Sequence, residues 1–119
     1  EVERDELDAN AYHLLAYAGG HAVGTGRLVV LPEPPEGESG RWGRIGRMAV
    51  LDSHRKHGVG RKLVEAFEAE ARKRGLDGVV IYSQVYVLGF YEKAGYQVRG
   101  PLFEEGGLPH KELRKRLGG

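Results

Sequence analysis

The chain lacks cysteine altogether, and it contains one methionine and one tryptophan among its 119 residues. Without cysteine it can form no disulfide framework, no zinc–thiolate site and no catalytic thiol. The five histidines are scattered, and no two have the i, i+4 spacing of a metal-binding helix, so we expect no metal. No apolar run approaches the roughly 18 residues of a membrane span, and no signal peptide is visible. These absences predict a soluble cytoplasmic protein with no membrane partner.

A large excess of one charge is absent too. The chain has 18 Lys and Arg against 17 Asp and Glu, which gives a formal net charge of +1. Such a balance does not favour general binding to nucleic acid or to an acidic membrane, because both require positive charge over a wide surface. The length suits one domain with a hydrophobic core of its own, and we predict a single domain over residues 1–119.

The positive charge that is present gathers over residues 54–62, and no acid lies between Ser53 and Val64. A strand-like run, residues 44–50, precedes this basic stretch, and a helical pattern follows it. A helix N-terminus presents unpaired N–H groups and the positive end of the helix dipole, which together attract anions. Gly58 and Gly60 have no Cβ and let a ligand approach the backbone closely. The stretch therefore predicts a phosphate site, and in particular a pyrophosphate site.

Two familiar phosphate motifs do not fit this stretch. A Walker A loop needs a hydroxyl residue after its Gly-Lys pair, and a dinucleotide fingerprint needs a third glycine where this chain has Leu63. The alternatives to a phosphate site are a solvated charged turn and a nucleic-acid patch. A plain turn would not need two glycines at a helix start, and nucleic-acid binding usually brings a wider positive excess. We therefore expect a phosphate ligand and no nucleic acid.

The clearest secondary structure is a helix over residues 60–74, which Gly75 is placed to end. Its apolar residues recur at helical spacing and form one stripe: Val59, Leu63, Ala66, Phe67 and Ala71. Its surface has two acid–base pairs at i, i+4: Glu68 with Arg72 and Glu70 with Arg74. Strand patterns over residues 42–50 and 78–83 flank the helix, so the three elements make one parallel βαβ unit.

The remaining patterns predict strands over 11–18, 21–31, 96–103 and 109–117, a short helix over 87–94, and loops over 1–10 and 32–41. Together these elements predict an α/β (α+β) fold, in which a mixed, twisted sheet has helices on its faces.

Three motifs together resemble the GNAT acetyltransferase superfamily. The sequence R-x-x-G-x-G at residues 55–60 resembles the family's acetyl-coenzyme A pyrophosphate loop, [RQ]-x-x-G-x-[GA]. The sequence FYEKAGY at residues 90–96 resembles its F-Y-E-K-x-G-[FY] segment. The sequence FEEGGLPH at residues 103–110 is similar to the F-x-E-x-G-I-P-H ending of the ElaA-like branch, and ELD at residues 6–8 resembles another element of that branch. The resemblance covers almost the whole chain, from about Glu6.

The resemblance implies the GNAT fold: a mostly antiparallel twisted sheet with a central splayed parallel pair and flanking helices. GNAT proteins normally have one more strand and two helices ahead of the matched region, about 30 residues by average element lengths. We therefore expect an N-terminally shortened domain that lacks this strand and these helices. An exposed sheet edge left by such a shortening would favour pairing with a second chain as a homodimer.

The resemblance also implies the activity, which is transfer of an acetyl group from acetyl-CoA to an amine of a small-molecule or peptide acceptor by direct attack on the thioester. Acetyl-CoA is then a co-substrate, and no metal takes part. Residues of the strand and loop would bind it: Met48, Ala49, Val50, Arg55, Lys56, His57, Gly58, Val59, Gly60 and Arg61. Tyr91 matches the tyrosine that many members use as general acid toward the departing thiolate, since a phenol has a pKa of about 10.

Alternatives remain at several of these positions. Tyr91 could instead be a core aromatic beside Phe90. His110 suits a base or a substrate contact, or it could be a hydrogen-bonded structural histidine. Gln84 could contact the cofactor or the substrate, or it could cap the following helix. The alternative function is a non-catalytic CoA-binding module of the same fold, and neither the acceptor nor the general base is identified by the sequence.

Overall fold

A computed structural model describes residues 2–5, 11–51, 53 and 58–118 of the chain. In this part of the chain, seven strands form one sheet and two helices follow β4 and β5. The strands are β1 Val2–Asp5, β2 Tyr12–Ala18, β3 His21–Val30, β4 Trp42–Val50, β5 Gly78–Gln84, β6 Gln97–Glu105 and β7 Leu108–Arg116. The helices are α1 Val59–Lys73 and α2 Leu88–Lys93, and a 3₁₀ turn, Val85–Val87, leads into α2.

The strand order across the sheet is β1-β2-β3-β4-β5-β7-β6. Every neighbouring pair is antiparallel except β4 and β5, which are parallel and are joined by α1 as the crossover helix. The predicted mixed, mostly antiparallel sheet with one central parallel pair is therefore confirmed. None of the helices in the described part of the chain is long and apolar enough to cross a membrane.

The predicted loop over residues 1–10 is wrong for Val2–Asp5, which forms β1. This strand pairs antiparallel with β2, from Val2 opposite Ala16 to Asp5 opposite His13. Its sequence, VERD, has no apolar alternation, so its side chains give no strand signal. The backbone of an edge strand can nevertheless satisfy its polar groups against a neighbouring strand. The ELD motif at residues 6–8 lies outside the described residues.

Helix α1 packs its predicted apolar stripe on the sheet. Leu63, Phe67 and Ala71 are fully buried, in one core with residues of β2, β3, β4, β5 and β7. The helix ends as predicted at Gly75, which has φ of 73°. The Gly75 N–H donates to Arg72 O and the Leu76 N–H donates to Ala71 O, which is the hydrogen-bond pattern of a Schellman motif. This termination directs the chain into β5.

Candidate functional site

A gap opens between the two parallel strands. Their ladder ends at the pair Ile45 and Ile81, although β4 continues to Val50 and β5 to Gln84. Beyond this pair β4 and β5 are no longer paired with each other in the parallel ladder. A cavity of about 780 Å³ occupies the gap and extends to the start of α1 and to α2. Charged and polar side chains line it together with backbone and apolar groups: Arg27, Arg44, Arg47, Arg61, Tyr82, Ser83, Gln84, Tyr91, Glu105 and His110.

A β-bulge in β4 accompanies this separation. In the pairing of β3 with β4, Arg27 lies opposite Gly46 and Thr25 opposite Ala49, so Gly26 faces two residues, Arg47 and Met48. Arg47 has φ of 52°, a left-handed conformation that costs a non-glycine residue about 1–2 kcal/mol. A bulge bends its strand and interrupts the ladder locally, so it helps to turn β4 away from β5. Met48, Ala49 and Val50 all line the cavity.

Gly26 provides the space that this bulge needs. A Cβ at position 26 would lie 2.6 Å from the Met48 sulfur and 2.9 Å from Phe67 Cε2. The absence of a side chain therefore lets Met48 fold against the α1 side of the sheet. No local sequence pattern indicates this role of Gly26, because its partner Met48 is distant in sequence.

The N-terminus of α1 forms one end of the cavity. Gly58 is the N-cap residue with φ of 75°, and no side chain caps the helix. The first intrahelical hydrogen bond runs from the Lys62 N–H to Gly58 O, so the amides of Val59, Gly60 and Arg61 have no intrahelical acceptor. Gly58, Gly60 and Arg61 line the cavity, and the first turn contains no acid. Arg55, Lys56 and His57, which were also predicted to bind cofactor, lie outside the described residues.

Helix α2 packs directly on this N-terminus through Phe90. A Cβ on Gly60 would lie 3.3 Å from Phe90 Cζ, so the glycine allows the ring to lie against the helix backbone. Phe90 is 38% exposed and lines the cavity. Gly60 therefore serves two purposes, the close packing of α2 and an accessible backbone.

Tyr91, the predicted general acid, is buried and lines the cavity. Burial raises the pKa of Tyr91 to about 12, because a phenolate would lose its hydration. Among the described residues its hydroxyl has no hydrogen-bond partner. The side chain is thus a protonated donor at neutral pH, with its hydroxyl available to a ligand. The ring belongs to the core, as one of the two alternatives expected, and it also reaches the cavity, while the role of general acid stays a prediction.

A buried polar network holds Tyr91 in place. The rings of Tyr91 and Tyr96 meet edge to face with centroids 6.1 Å apart. The Tyr96 hydroxyl donates to Glu68 at 2.8 Å, and Lys115 Nζ lies 3.1 Å from both Glu68 oxygens and donates to Ala94 O at 2.8 Å. Burial, the Glu68 charge and this hydrogen bond raise the pKa of Tyr96 well above its ordinary value.

Glu68 was assigned to a surface pair with Arg72, and that prediction is wrong. The Glu68 carboxylate is buried and pairs with Lys115 of β7. The second predicted pair, Glu70 with Arg74, is confirmed at 2.7 Å. Sequence spacing places both glutamates on the helix, but only the packing of α2 and β7 decides which one is covered.

Gln84 and His110 are brought together at the far side of the gap. They are directly opposite each other in the pairing of β5 with β7, and both line the cavity. Gln84 precedes the 3₁₀ turn without a side-chain capping hydrogen bond. His110 is buried, and its Nδ1 lies 2.8 Å from Leu108 O. A carbonyl only accepts, so Nδ1 bears a proton, and Nε2 lies 3.6 Å from a Glu105 oxygen.

The sequence model of the acetyltransferase (GNAT) family matches residues 1–96. A Bacillus subtilis protein named as an uncharacterized N-acetyltransferase, YjcF, is 34% identical over 116 residues, which are 97% of this chain and 77% of that protein. This similarity extends well beyond the three motifs and includes nearly all of the described structure.

Two solved structures have the same fold. Escherichia coli ElaA matches with a TM-score of 0.74 at 22% identity, over 92% of this chain and 74% of ElaA. A GNAT family acetyltransferase from Elizabethkingia anophelis with acetyl-CoA bound matches with a TM-score of 0.71 at 18% identity, over 92% of this chain and 78% of that one. At these identities the likeness concerns the fold alone.

Proposed function

The chain belongs to the GNAT acetyltransferase family, and on this premise we propose how its cavity carries out N-acetyl transfer from acetyl-CoA. The single observation that supports the proposal most is the end of the parallel ladder at Ile45 and Ile81. Beyond this pair, the backbone of β4, a helix N-terminus and a buried phenol line one cavity. Acetyl-CoA has one group for each of these features. Its long polar arm suits the strand backbone, its diphosphate suits the helix N-terminus, and the sulfur of its thioester suits the phenol.

The diphosphate of the co-substrate binds at the start of α1. The amides of Val59, Gly60 and Arg61 supply unpaired donors there, and the helix dipole adds positive potential. The Arg61 side chain is 76% exposed and its pair with Glu65 is long, at 3.6 Å, so the guanidinium can turn toward a phosphate at little cost. Arg55, Lys56 and His57 belong to the same proposed loop.

The pantetheine arm and the thioester lie along the bulged end of β4. Met48, Ala49 and Val50 lie on β4 beyond the end of its ladder with β5, and because all three line the cavity their backbone can bind the arm. An N–H donor fixed in this way stabilises the oxyanion that forms when the amine attacks, because it needs no reorganisation during the reaction.

Proton movement completes the transfer. The amine nitrogen bonds to the carbonyl carbon, the carbon–sulfur bond breaks, and the sulfur takes the proton of the Tyr91 hydroxyl. The nitrogen gives its proton to a base, for which we propose Nε2 of His110. Gln84 lies opposite this histidine and contacts the acceptor. Proton transfer from a positioned side chain contributes roughly 10²–10⁴-fold in rate.

A direct test measures thermal stabilisation by acetyl-CoA and CoA, followed by thiol release with a panel of amines. Stabilisation together with amine-dependent thiol release supports the enzyme. Stabilisation without release at any amine would instead support a CoA-binding module of this fold.

The matched variants are Arg61→Gln, at the proposed diphosphate site, and Lys73→Gln, an equal charge change at the other end of α1. We expect weaker CoA binding in Arg61→Gln alone. Equal affinities in the two variants would contradict a diphosphate at the start of α1. A cytoplasmic location and a homodimer remain predictions from composition and from the sheet edge.

A further inference from the structure

The acceptor side of the cavity contains more positive charge than acetyl-CoA accounts for. Four arginines and one carboxylate, Glu105, line the cavity. Arg61 belongs to the proposed diphosphate site, and Arg47 is exposed on the bulge. The two others, Arg27 of β3 and Arg44 of β4, are half-buried on the sheet itself. Their charge requires a separate explanation.

The two arginines lie on one face of the sheet, on either side of Gly46. Arg27 is directly opposite Gly46 in the pairing of β3 with β4, and paired residues have side chains on the same face. Arg44 precedes Gly46 by two residues and therefore shares that face. A Cβ on Gly46 would lie 3.8 Å from Arg44 Nε, so the Arg44 side chain extends over the glycine. Because Gly46 has no side chain, no side chain of the sheet fills the space between the two arginines at this position.

Neither guanidinium has a carboxylate partner in the described part of the chain. Two other arginines of the sheet, Arg114 and Arg116, are paired, since both bind Glu38. Arg44 instead lies over the Tyr82 ring, 4.5 Å from its centroid. Stacking of this kind leaves the planar N–H donors of arginine available for a bidentate anion. Two half-buried cations that have no carboxylate partner among the described residues are the arrangement expected of an anion site.

The opposite side of the gap contains a carboxylate and a histidine in place of arginines. Glu105 and His110, on β6 and β7, line the same cavity and lie 3.6 Å apart. An amine could bind near this pair, while Arg27 and Arg44 bind a negative group of the same molecule. A purely cationic acceptor would meet repulsion from the β3–β4 side.

We infer that the acceptor is an amine that also contains an anionic oxygen group, a carboxylate or a phosphate, and that Arg27 and Arg44 bind this group. The inference rests on the proposed function, since it names the acceptor class of the same cavity. Charge-assisted hydrogen bonds of this kind correspond to about tenfold to hundredfold in affinity.

The test uses the unmodified chain and matched acceptor pairs. Amino acids are compared with their carboxamides, and aminoalkyl phosphates with the corresponding amino alcohols, by thiol release from acetyl-CoA. We expect kcat/KM to be at least about tenfold higher for the anionic member of a pair, and the pair with the larger ratio identifies carboxylate or phosphate. Equal rates for charged and neutral members would overturn the inference and leave the proposed function intact. Failure to acetylate any amine would overturn the proposed function and the inference with it.

Arginine variants locate the preference within the cavity. Arg27→Gln and Arg44→Gln should each lower the ratio of anionic to neutral acceptor by about tenfold or more. Lys73→Gln, which removes a charge from the exposed end of α1, should leave the ratio unchanged. Because Arg44 also packs on Tyr82, Arg27→Gln provides a variant without that ring contact. An unchanged ratio in both arginine variants, at unchanged circular dichroism, would assign the preference elsewhere and refute the site.

Discussion

Ile45 and Ile81 are the last paired residues of the parallel ladder, and both side chains are buried, at 1% and 2% exposure. The core therefore fixes β4 and β5 up to this pair, and the strands separate immediately beyond it. The bulge at Arg47 and Met48 follows within two residues. The gap thus follows from the core packing that ends at Ile45 and Ile81 and from the bulge after it, and it exposes the end of β4 to the cavity.

Replacing Tyr91 by phenylalanine should remove the proposed general acid and leave most of the packing intact. We expect kcat to fall by roughly 10²–10⁴-fold, with little change in the affinity for CoA, because only the hydroxyl is lost. Steady-state kinetics and calorimetric titration with CoA measure the two effects separately. Tyr17→Phe, on β2 outside the cavity lining, is the matched control and should keep normal kcat. A Tyr91→Phe enzyme with normal kcat would show that the thiolate takes its proton elsewhere.

Replacing Gly26 by alanine should destabilise the fold through the bulge. The added methyl group would lie 2.6 Å from the Met48 sulfur and 2.9 Å from a Phe67 carbon, and overpacking of this kind costs about 1–3 kcal/mol. Chemical denaturation measures the loss. Gly89→Ala, in α2 with nothing within 4 Å, makes the same chemical change and should be neutral or slightly stabilising. Adding Met48→Ala to Gly26→Ala should restore part of the stability, and a double variant as unstable as the single one would argue against the Met48 contact.

Removing Lys115, the ion-pair partner of Glu68, should strongly lower the free energy of unfolding. Lys115→Met leaves a buried carboxylate with Tyr96 as its remaining donor, and breaking a buried ion pair in this way costs about 3–5 kcal/mol. The double variant Glu68→Gln with Lys115→Met removes both charges and should recover much of that loss. The exposed pair Arg61–Glu65 offers the contrast, since Arg61→Gln should change the free energy of unfolding by less than about 1 kcal/mol. Similar losses in Lys115→Met and Arg61→Gln would mean that the Glu68 pair is hydrated in solution.

The buried tyrosines predict loss of stability at alkaline pH. The pKa of Tyr91 is raised from 10.0 to about 12 in the folded chain, and that of Tyr96 is raised further by burial and by Glu68. Below pH 10 both states hold the proton. Above it the unfolded chain binds fewer protons than the folded one, so the free energy of unfolding falls, by up to about 1.4 kcal/mol per pH unit for each group.

Denaturant titrations at pH about 9 and about 11 measure this slope. Tyr91→Phe and Tyr96→Phe should each reduce it, and Tyr86→Phe, at a residue that is 79% exposed, should not. The same slope in all four proteins would exclude these two phenols as its source.

Sequence patterns predicted several helices and strands correctly because the residues that determine them lie close together in the chain. The stripe of α1, its glycine start and its Gly75 end are set by neighbours along the chain, and the structure agrees with them. The same reasoning failed for β1, whose backbone pairs with β2 without any apolar pattern. It also failed for Glu68, because a residue of β7, Lys115, decides that this carboxylate is buried.

The residues of the candidate site also fall into two groups, those that sequence motifs identified and those that only the structure reveals. Tyr91, the glycines of the loop and His110 were found through motifs that resemble a known family, and the structure places the described ones around one cavity. Arg27, Arg44 and Tyr82 belong to no motif and lie on three different strands. Only the register of the sheet brings them together.

The sequence alone determined the helix, the glycines at its start and the family, because each depends on residues that are adjacent or nearly so. The tertiary structure decided where the parallel ladder ends, which glutamate is buried and which arginines share a face. Those outcomes depend on pairing between distant strands, and no spacing along a single chain specifies which distant backbone will be its neighbour.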